Sequence, residues 1–183
     1  MNIDSLANHV EANITRLFKK FKEKPAVFLS KPDITCYLYH LLIFDPFLRH
    51  DPKIKNFTPT LPQSKTFLVH AGLEVSVDGQ NKPVALSVGE VKKETDLPGW
   101  DFPIGIEVAH NFDSSVASWI DLRTDVKKIA RYKKGYLLCL NWSNPLTEVG
   151  VQEIESFVAK YASVEFCYLD LCSKPLKTNL SKI

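Results

Sequence analysis

The sequence predicts an α/β (α+β) protein in which helices flank a mixed central sheet. Near the start of the chain, apolar residues recur at three- and four-residue intervals, which is the spacing of amphipathic helices. Between Phe67 and Val108, apolar residues alternate with small or polar ones, which is the period of half-buried strands. Helical and strand-like segments then follow one another as far as Cys172. The order α, α, β, β, β, α, β, α, β predicts a mixed sheet flanked by helices.

The first two elements are helices. Regular apolar spacing predicts a helix over residues 3–22, within an N-terminal helical extension of residues 1–24. Its basic end, Lys19–Lys24, suits a helix C-terminus. A second helix is predicted to begin at Ser30, because Asp33 three residues later completes a capping arrangement. This helix is expected to continue to Pro46, and residues 50–65 are expected to form a loop.

The remaining elements alternate between strands and helices. The Asp78–Asn81 turn predicts that the first two strands form a hairpin. Gly135 is expected to end the helix that follows the third strand. In chain order the predicted elements are the strands Phe67–Val77, Val84–Val91 and Phe102–Val108, the helix Asp121–Tyr132, the strand Tyr136–Trp142, the helix Glu148–Tyr161 and the strand Val164–Cys172.

Length and composition indicate a globular chain that forms a single domain over residues 1–183. A chain of 183 residues fits the usual size of one domain. Hydrophobic residues make up 45% and charged residues 24%, which excludes an intrinsically disordered protein. Lys and Arg together number 23 against 21 for Asp and Glu, giving a net charge of +2. Any basic surface must therefore be local.

The cysteines and the lengths of the apolar runs help to predict the cellular compartment of the protein. The four cysteines form no C-x-x-C pair, and Cys139 and Cys167 lie in apolar strand-like runs, which favours buried thiols over zinc ligands. Apolar runs such as Tyr136–Leu140 fall far below the ~20 residues that span a bilayer. The first residues carry no signal-peptide pattern. We therefore expect a cytoplasmic protein with no membrane partner.

The three central strands predict a sheet with one aliphatic face and one small, polar face. Side chains alternate between the two faces of a strand. If the strands are neighbours, Glu74 and Glu107 project into an open concavity, with Ala85 and Ala109 on the same face. Carboxylates among small side chains are costly unless they bind a cation or face water. Glu74 and Glu107 are therefore the candidate metal ligands.

The order of these elements resembles the core of the PD-(D/E)XK superfamily. These restriction-endonuclease-like nucleases include Holliday-junction resolvases and many small DNA-processing enzymes. The resemblance covers about residues 28–142, within a nuclease-like core of about residues 28–172. It rests on a Ser-capped helix, three strands and a helix, with the sequences LSKPDITCYLYHLL, HAGLEVSV, KPVALSVGE, IGIEVAHN and DLRTDVKKIARY.

The resemblance implies a metal-dependent site that cleaves phosphodiester bonds. In the family, an Asp on the second strand and the Glu or Asp of the third strand bind Mg²⁺ or Mn²⁺, and a Lys helps to activate the attacking water. Glu107 matches the carboxylate of the third strand. Glu74 resembles the acidic residue of the first strand, and Asp33 matches an acidic position of the N-terminal helix.

Two positions depart from the family pattern. Ala85 stands at the position of the metal-binding Asp, and Ala109 stands at the position of the Lys. We therefore expect the chain as written to cleave poorly or not at all. Three explanations stay open: a naturally inactive descendant, a chain whose catalytic residues were replaced by alanine, or migrated groups. In the last case Lys92 or Lys128 supplies the charge and Glu90 or His110 supplies a ligand.

Two further candidate features are a second possible position, or register, of the E-x-K motif and a run of basic residues. Glu90-Val91-Lys92 is a literal E-x-K sequence with Asp78 upstream. Asp is common in turns, however, so this match has a simple structural alternative. The basic run after the third strand consists of Lys127, Lys128, Arg131, Lys133 and Lys134. It is either a rim that contacts DNA phosphates, chiefly through Lys127, Lys128 and Arg131, or an ordinary solvated helix end.

The sequence thus predicts a DNA-processing protein of the nuclease-like type. The alternative is a non-catalytic module on the same fold that binds nucleic acid or protein, with a homodimer left open. A small-ligand binder that uses the Glu74/Glu107 concavity is a third possibility. No Gly-rich phosphate loop, G-x-S-x-G or H-E-x-x-H motif occurs, so nucleotide hydrolases, esterases and metalloproteases of those classes have no support.

Overall fold

Helices cover both faces of a six-stranded mixed sheet. The computed structural model describes residues 3–48, 69–92, 99–113, 115–143, 145–172 and 177–179. The predicted α/β class is confirmed. The elements in chain order are α1 (Ile3–Glu23), a 3₁₀ turn (Pro25–Val27), α2 (Lys31–Phe44), β1 (Val69–Ala71), β2 (Glu74–Val77), β3 (Gln80–Pro83), β4 (Leu86–Lys92), β5 (Gly99–His110), α3 (Val116–Ile129), β6 (Lys134–Asn141), α4 (Glu148–Val158), β7 (Val164–Asp170) and β8 (Lys177–Thr178).

The sheet combines an antiparallel and a parallel part. The strand order is β1-β4-β5-β6-β7-β8, and β2 and β3 form a separate two-stranded hairpin. β1, β4 and β5 pair antiparallel, β5, β6 and β7 pair parallel, and β8 is antiparallel to β7. Parallel neighbours need a crossover connection, which α3 and α4 provide. The carboxyl ends of β5, β6 and β7 therefore meet at one edge of the sheet.

Two hydrophobic cores hold the layers together. α1 and α2 pack on one face of the sheet, around side chains such as Phe18, Ile106 and Leu138. α3 and α4 pack on the opposite face, around side chains such as Val126 and Leu137. The central strand β6 is almost wholly buried because both of its faces are covered. The sequence predicts the first helix as an extension, whereas in the structure α1 is an integral part of the first core.

The predicted cap of the second helix is confirmed. The Asp33 N–H donates to Ser30 Oγ at 3.4 Å, and the Asp33 carboxylate accepts hydrogen bonds from Ser30 Oγ at 2.8 Å and from the Leu29 N–H at 3.1 Å. These reciprocal bonds satisfy donors that a helix start leaves unpaired. The helix ends at Phe44 rather than at Pro46, because the residue before a proline avoids helical backbone angles.

The first predicted strand is wrong as a single continuous element. The segment predicted as Phe67–Val77 divides into β1 and β2 at Gly72, whose φ of +73° lies in the left-handed region that glycine adopts without strain. The partner predicted as Val84–Val91 corresponds to β4, and the short strand β3 precedes it in the chain. Val69 packs in the first core and Val75 against the second. The aliphatic residues of this segment therefore do not share one face.

The later elements agree with the sequence apart from their ends. The third helix starts earlier than predicted, at Val116, because Ser115 accepts a hydrogen bond from the Ser118 N–H at 3.2 Å and caps it. Strand β8 has no counterpart among the predicted elements.

The expected loop over residues 50–65 lies outside the described residues. Among the described residues, no helix has the length and apolar character needed to cross a membrane.

Asp45 ties the end of α2 to α1. Its Oδ2 accepts a hydrogen bond from Asn13 Nδ2 at 2.8 Å and its Oδ1 accepts one from the Phe47 N–H at 2.9 Å. His9 Nδ1 lies 3.1 Å from Oδ1. Burial raises the pKa of Asp45, but the hydrogen bonds from Asn13, Phe47 and His9 outweigh it, so the pKa lies below its ordinary value of 3.8.

We expect Asp45→Asn to lower the free energy of unfolding at neutral pH by about 1–3 kcal/mol, because buried hydrogen bonds to a charged acceptor are removed. A lowered folded-state pKa means that the carboxylate stabilises the fold above its ordinary pKa. This contribution disappears as the pH falls through the lowered value. Denaturant unfolding of both proteins from neutral pH down to about pH 3 should show the difference shrinking. A difference that stays constant with pH would contradict this role.

Candidate functional site: a buried lysine–carboxylate cluster

Glu107 lies in the middle of β5 and is completely buried. Its neighbours Ile106 and Val108 pack in the first core, so the Glu107 side chain points to the opposite face, toward α3. Its exposed fraction is 0%. The prediction of an open concavity at this face is wrong, because α3 covers it.

The small residues of this face make room for Tyr132 rather than for solvent. A Cβ placed on Gly105 would lie 2.6 Å from Cδ2 of Tyr132, so the ring lies directly on the backbone of β5. The Tyr132 hydroxyl is hydrogen-bonded to the Ser87 hydroxyl at 2.7 Å. Burial raises the pKa of Tyr132. The small and polar side chains that suggested a groove thus form a closely packed site.

Four charged residues from three elements meet around Glu107. They are Lys31 at the start of α2, Glu107 on β5, and Asp125 and Lys128 on α3; this set is called the charged cluster below. Two carboxylates and two ammonium groups give it a formal charge balance of zero. A spacing of three residues brings Asp125 and Lys128 to the same side of α3.

Lys128 is the inner cation of the charged cluster. Its Nζ lies 2.5 Å from Glu107 Oε1 and 2.6 Å from Asp125 Oδ1, and it donates to the backbone carbonyl of Pro83 at 2.9 Å. Only 9% of its side chain is exposed. Its three N–H donors are therefore matched by three oxygens, as a buried ammonium group requires.

Lys31 is the outer cation. Its Nζ lies 3.0 Å from Asp125 Oδ2 and 3.3 Å from Glu107 Oε2, and 42% of its side chain is exposed. Burial lowers the pKa of Lys31, but the Glu107 and Asp125 carboxylates outweigh it and hold the pKa above its ordinary value of 10.5. Lys31 is therefore charged at neutral pH.

The two oxygens of the Glu107 carboxylate have different contact partners. Oε1 accepts a hydrogen bond from the Ala85 N–H at 3.1 Å, besides its contact with Lys128. Oε2 accepts no hydrogen bond from the residues that the structure describes. Burial and the neighbouring Asp125 raise the pKa of Glu107 above its ordinary value of 4.5, while Lys31 and Lys128 oppose this rise.

This arrangement does not fit the Mg²⁺ or Mn²⁺ that the resemblance implies. A hard divalent cation needs several oxygen ligands. Ala85 provides only a backbone N–H at the position of the expected Asp, and both oxygens of Glu107 face ammonium groups. Within the described residues, no three His, Cys, Asp or Glu side chains form a group that could hold a metal ion.

A small pocket opens beside the charged cluster at the carboxyl end of β5. It has a volume of about 160 Å³, and its lining includes Lys31, Ala109, His110, Asp121 and Asp125. Ala109, the position of the expected catalytic Lys, therefore lies on the pocket wall. Burial lowers the pKa of His110, and the Asp33 carboxylate opposes this shift.

The other predicted site residues lie elsewhere. Glu74 is exposed on the β2–β3 hairpin, opposite Pro83, and takes no part in the charged cluster. Lys127 forms an exposed ion pair with Asp78 at 2.6 Å, and Arg131 is exposed. Lys128 faces inward, so the predicted phosphate-binding rim does not include its ammonium group.

The E-x-K register of Glu90 and Lys92 lies on β4, but their side chains are outside the described residues. Asp78, the upstream acidic residue of this register, occupies the turn between β2 and β3 with a φ of 49°. Its ion pair with Lys127 joins this turn to α3.

The basic end of α1 lies near the pocket. The Phe21 ring packs edge-on against His110, with ring centroids 6.4 Å apart. This contact places the end of α1 beside the pocket. Lys22 in α1 and Lys24 just after it are exposed, and Lys20 is half-buried. These three residues are called the α1 lysines below.

Models of protein families, curated proteins and solved structures contain no match to this chain. The geometry of the charged cluster and its surroundings therefore carries the functional argument.

We expect Glu107→Gln and Lys128→Met each to lower the free energy of unfolding by about 3–5 kcal/mol, because each leaves a buried charge unbalanced. The double variant retains the Lys31–Asp125 pair, so its destabilisation should be smaller than the sum of the two single effects. Denaturant unfolding of the four proteins measures this coupling.

The exposed Asp78–Lys127 pair supplies a matched control. The same cycle with Asp78→Asn and Lys127→Met should give much smaller changes, because solvent screens an exposed pair. Single variants at Glu107 and Lys128 that are as stable as the unaltered chain would contradict the description of a buried, coupled charged cluster.

Proposed function

We propose that this chain is a nuclease-like protein that binds DNA without hydrolysing it. The observation that carries the proposal is the neutralisation of Glu107 by Lys31 and Lys128. Family-type cleavage uses a divalent cation to balance charge on the phosphate and to supply hydroxide. The charged cluster is already balanced by ammonium groups, and position 85 provides no carboxylate. Binding can persist where cleavage has been lost.

The order of elements supports the nuclease-like assignment. The resemblance rests on a capped helix, three strands and a helix, and the chain forms α2, β1, β4, β5 and α3 in that order, with the β2–β3 hairpin between β1 and β4. The three strands are neighbours in one sheet, with Glu107 on the third. One fold can host many functions, so the order of elements supports the fold by analogy only. The argument about chemistry rests on the charged cluster.

The α1 lysines support contact with a polyanion. Lysines that neutralise DNA phosphates release counterions, which makes cationic surfaces the main source of sequence-independent affinity. The α1 lysines are close in the chain to Phe21, whose ring contacts His110 on the pocket wall. The net charge of the chain is only +2, so a local surface of this kind must provide the attraction.

Lys127, near the end of α3, and Arg131, just after it, form the second candidate surface. Asp78 lies 2.6 Å from the Lys127 ammonium group and offsets its charge. We therefore propose that the α1 lysines dominate DNA binding and that Lys127 and Arg131 contribute less.

The free cysteines Cys36, Cys139, Cys167 and Cys172 agree with a reducing cytoplasm as the compartment.

A protein-interaction module is the second candidate function. Val116 and Ile120 on α3 and Val149 on α4 are 78%, 58% and 64% exposed. Beside them, Arg123 lies over the rings of Trp119 and Phe157, at 5.6 and 5.8 Å from the ring centroids. Exposed apolar and aromatic groups of this kind are typical of protein interfaces, including homodimer interfaces.

Replacing the three α1 lysines by Gln should weaken binding to duplex DNA. The slope of log affinity against log salt should flatten by about one unit for each phosphate that is no longer neutralised. Replacing Lys127 and Arg131 by Gln should have the smaller effect per charge removed. Fluorescence anisotropy with a labelled duplex, over a range of salt concentrations, measures both quantities.

Two outcomes would count against this proposal. Equal affinity and salt dependence in all three proteins would remove both basic surfaces from DNA binding. An unaltered chain that does not bind duplex DNA even at low salt would favour the protein-interaction module instead.

A further inference from the structure

A groove of about 510 Å³ lies between α3 and α4, the two helices that pack on the second hydrophobic core. Its lining combines aromatic, aliphatic and charged side chains, and it includes Trp119 and Arg123 on α3, Val149, Glu153 and Phe157 on α4, and Lys160 just after α4. It is called the α3–α4 groove below. Since α1 packs on the other face of the sheet, the groove is separate from the α1 lysines.

Aliphatic side chains at the α3–α4 groove are exposed to solvent. Val149 on its wall is 64% exposed, and Val116 and Ile120 on α3 are 78% and 58% exposed. Val116, Ile120 and the lining residue Arg123 follow one another at four- and three-residue intervals, so they share one side of α3. Contact with another protein at the groove would therefore remove these apolar groups from water.

The charged groups of the α3–α4 groove have no opposite charge beside them in the described part of the chain. Arg123 lies over the rings of Trp119 and Phe157, and Lys160 Nζ lies 5.5 Å from the Phe157 ring centroid. Neither these cations nor Glu153 forms an ion pair with a residue that the structure describes. A partner that covers the groove must therefore supply both a carboxylate and a cation.

A second copy of the chain supplies both signs of charge at matching positions. Glu153 and Lys160 are seven residues apart on the same wall, about 10 Å along the helix axis. When two copies of α4 meet antiparallel about a two-fold axis, a contact from residue i to residue j is repeated from j to i. An axis midway between Glu153 and Lys160 thus places each carboxylate opposite the lysine of the other copy. Ser156, next to this midpoint, is small and exposed, which leaves room for the helices to approach.

We propose that the α3–α4 groove is where this chain pairs with a second copy of itself, in an antiparallel two-fold dimer. Glu153 of each copy faces Lys160 of the other, and Val149 and the neighbouring Ile120 are buried between the two copies. This inference names the partner for the exposed surface of the second candidate function, and it does not require DNA binding.

The oligomeric state of the unaltered chain tests the proposal first. We expect sedimentation equilibrium to show a reversible monomer–dimer equilibrium with a dissociation constant of about 1–100 μM, because two short helices form a small interface. Ile120→Glu and Val149→Glu should each weaken the dimer at least tenfold, because each places a charge in an apolar contact. Circular dichroism should show both variants folded, since both positions are exposed.

Val27→Glu is the matched control. Val27 is 57% exposed, almost the same as Ile120 at 58%, but it lies in the 3₁₀ turn before α2. The dissociation constant of the dimer should therefore not change. A chain that stays monomeric at about 1 mM, or a Val27→Glu variant that weakens the dimer as much as Ile120→Glu, would overturn the inference.

An exchange of charges tests the two-fold arrangement. Glu153→Lys and Lys160→Glu should each weaken the dimer severalfold, because each brings like charges together at two symmetric positions. The double variant should recover the affinity of the unaltered chain, since opposite charges face each other again. A double variant that associates no better than the single ones would contradict the arrangement. A monomeric chain that still binds duplex DNA would refute the dimer alone, and a dimer that does not bind DNA would refute DNA binding alone.

Discussion

The burial of Glu107 is the constraint on which the rest of this site depends. A carboxylate at the centre of a covered sheet must have its charge balanced nearby, because an unpaired buried charge costs several kcal/mol. The balance comes from Lys31 and Lys128, with Asp125 between them. These ion pairs connect the start of α2, the middle of β5 and the second half of α3. The charged cluster thus joins two helices on opposite sides of the sheet to β5.

Much of the fold could be predicted from local patterns. The Ser30 cap, the apolar spacing of α1 and the buried strands β6 and β7 all depend on residues close together in the chain. The break at Gly72 could not be predicted from periodicity, because alternation continues across it. In the structure, the left-handed backbone of Gly72 lies at the point where the chain leaves the main sheet.

The candidate site could be predicted only in part. Glu107 is identifiable because it is a carboxylate within an apolar strand. Lys31 and Asp125 lie 94 residues apart in the chain, and no local pattern pairs them. The small residues of the sheet suggest an open groove, because the sequence does not show that the Tyr132 ring packs against Gly105. By sequence, Lys128 fits both a displaced catalytic lysine and a rim residue, because its inward ion pairs depend on residues distant in the chain.

We propose that ammonium groups take the place of a metal ion and leave the charged cluster without hydrolytic activity. The most direct test is incubation of the chain with plasmid and branched DNA in Mg²⁺ and in Mn²⁺, beside Glu107→Gln and Lys128→Ala. We expect no cleavage by any of the three proteins above a protein-free control. Metal-dependent cleavage by the unaltered chain would contradict the account.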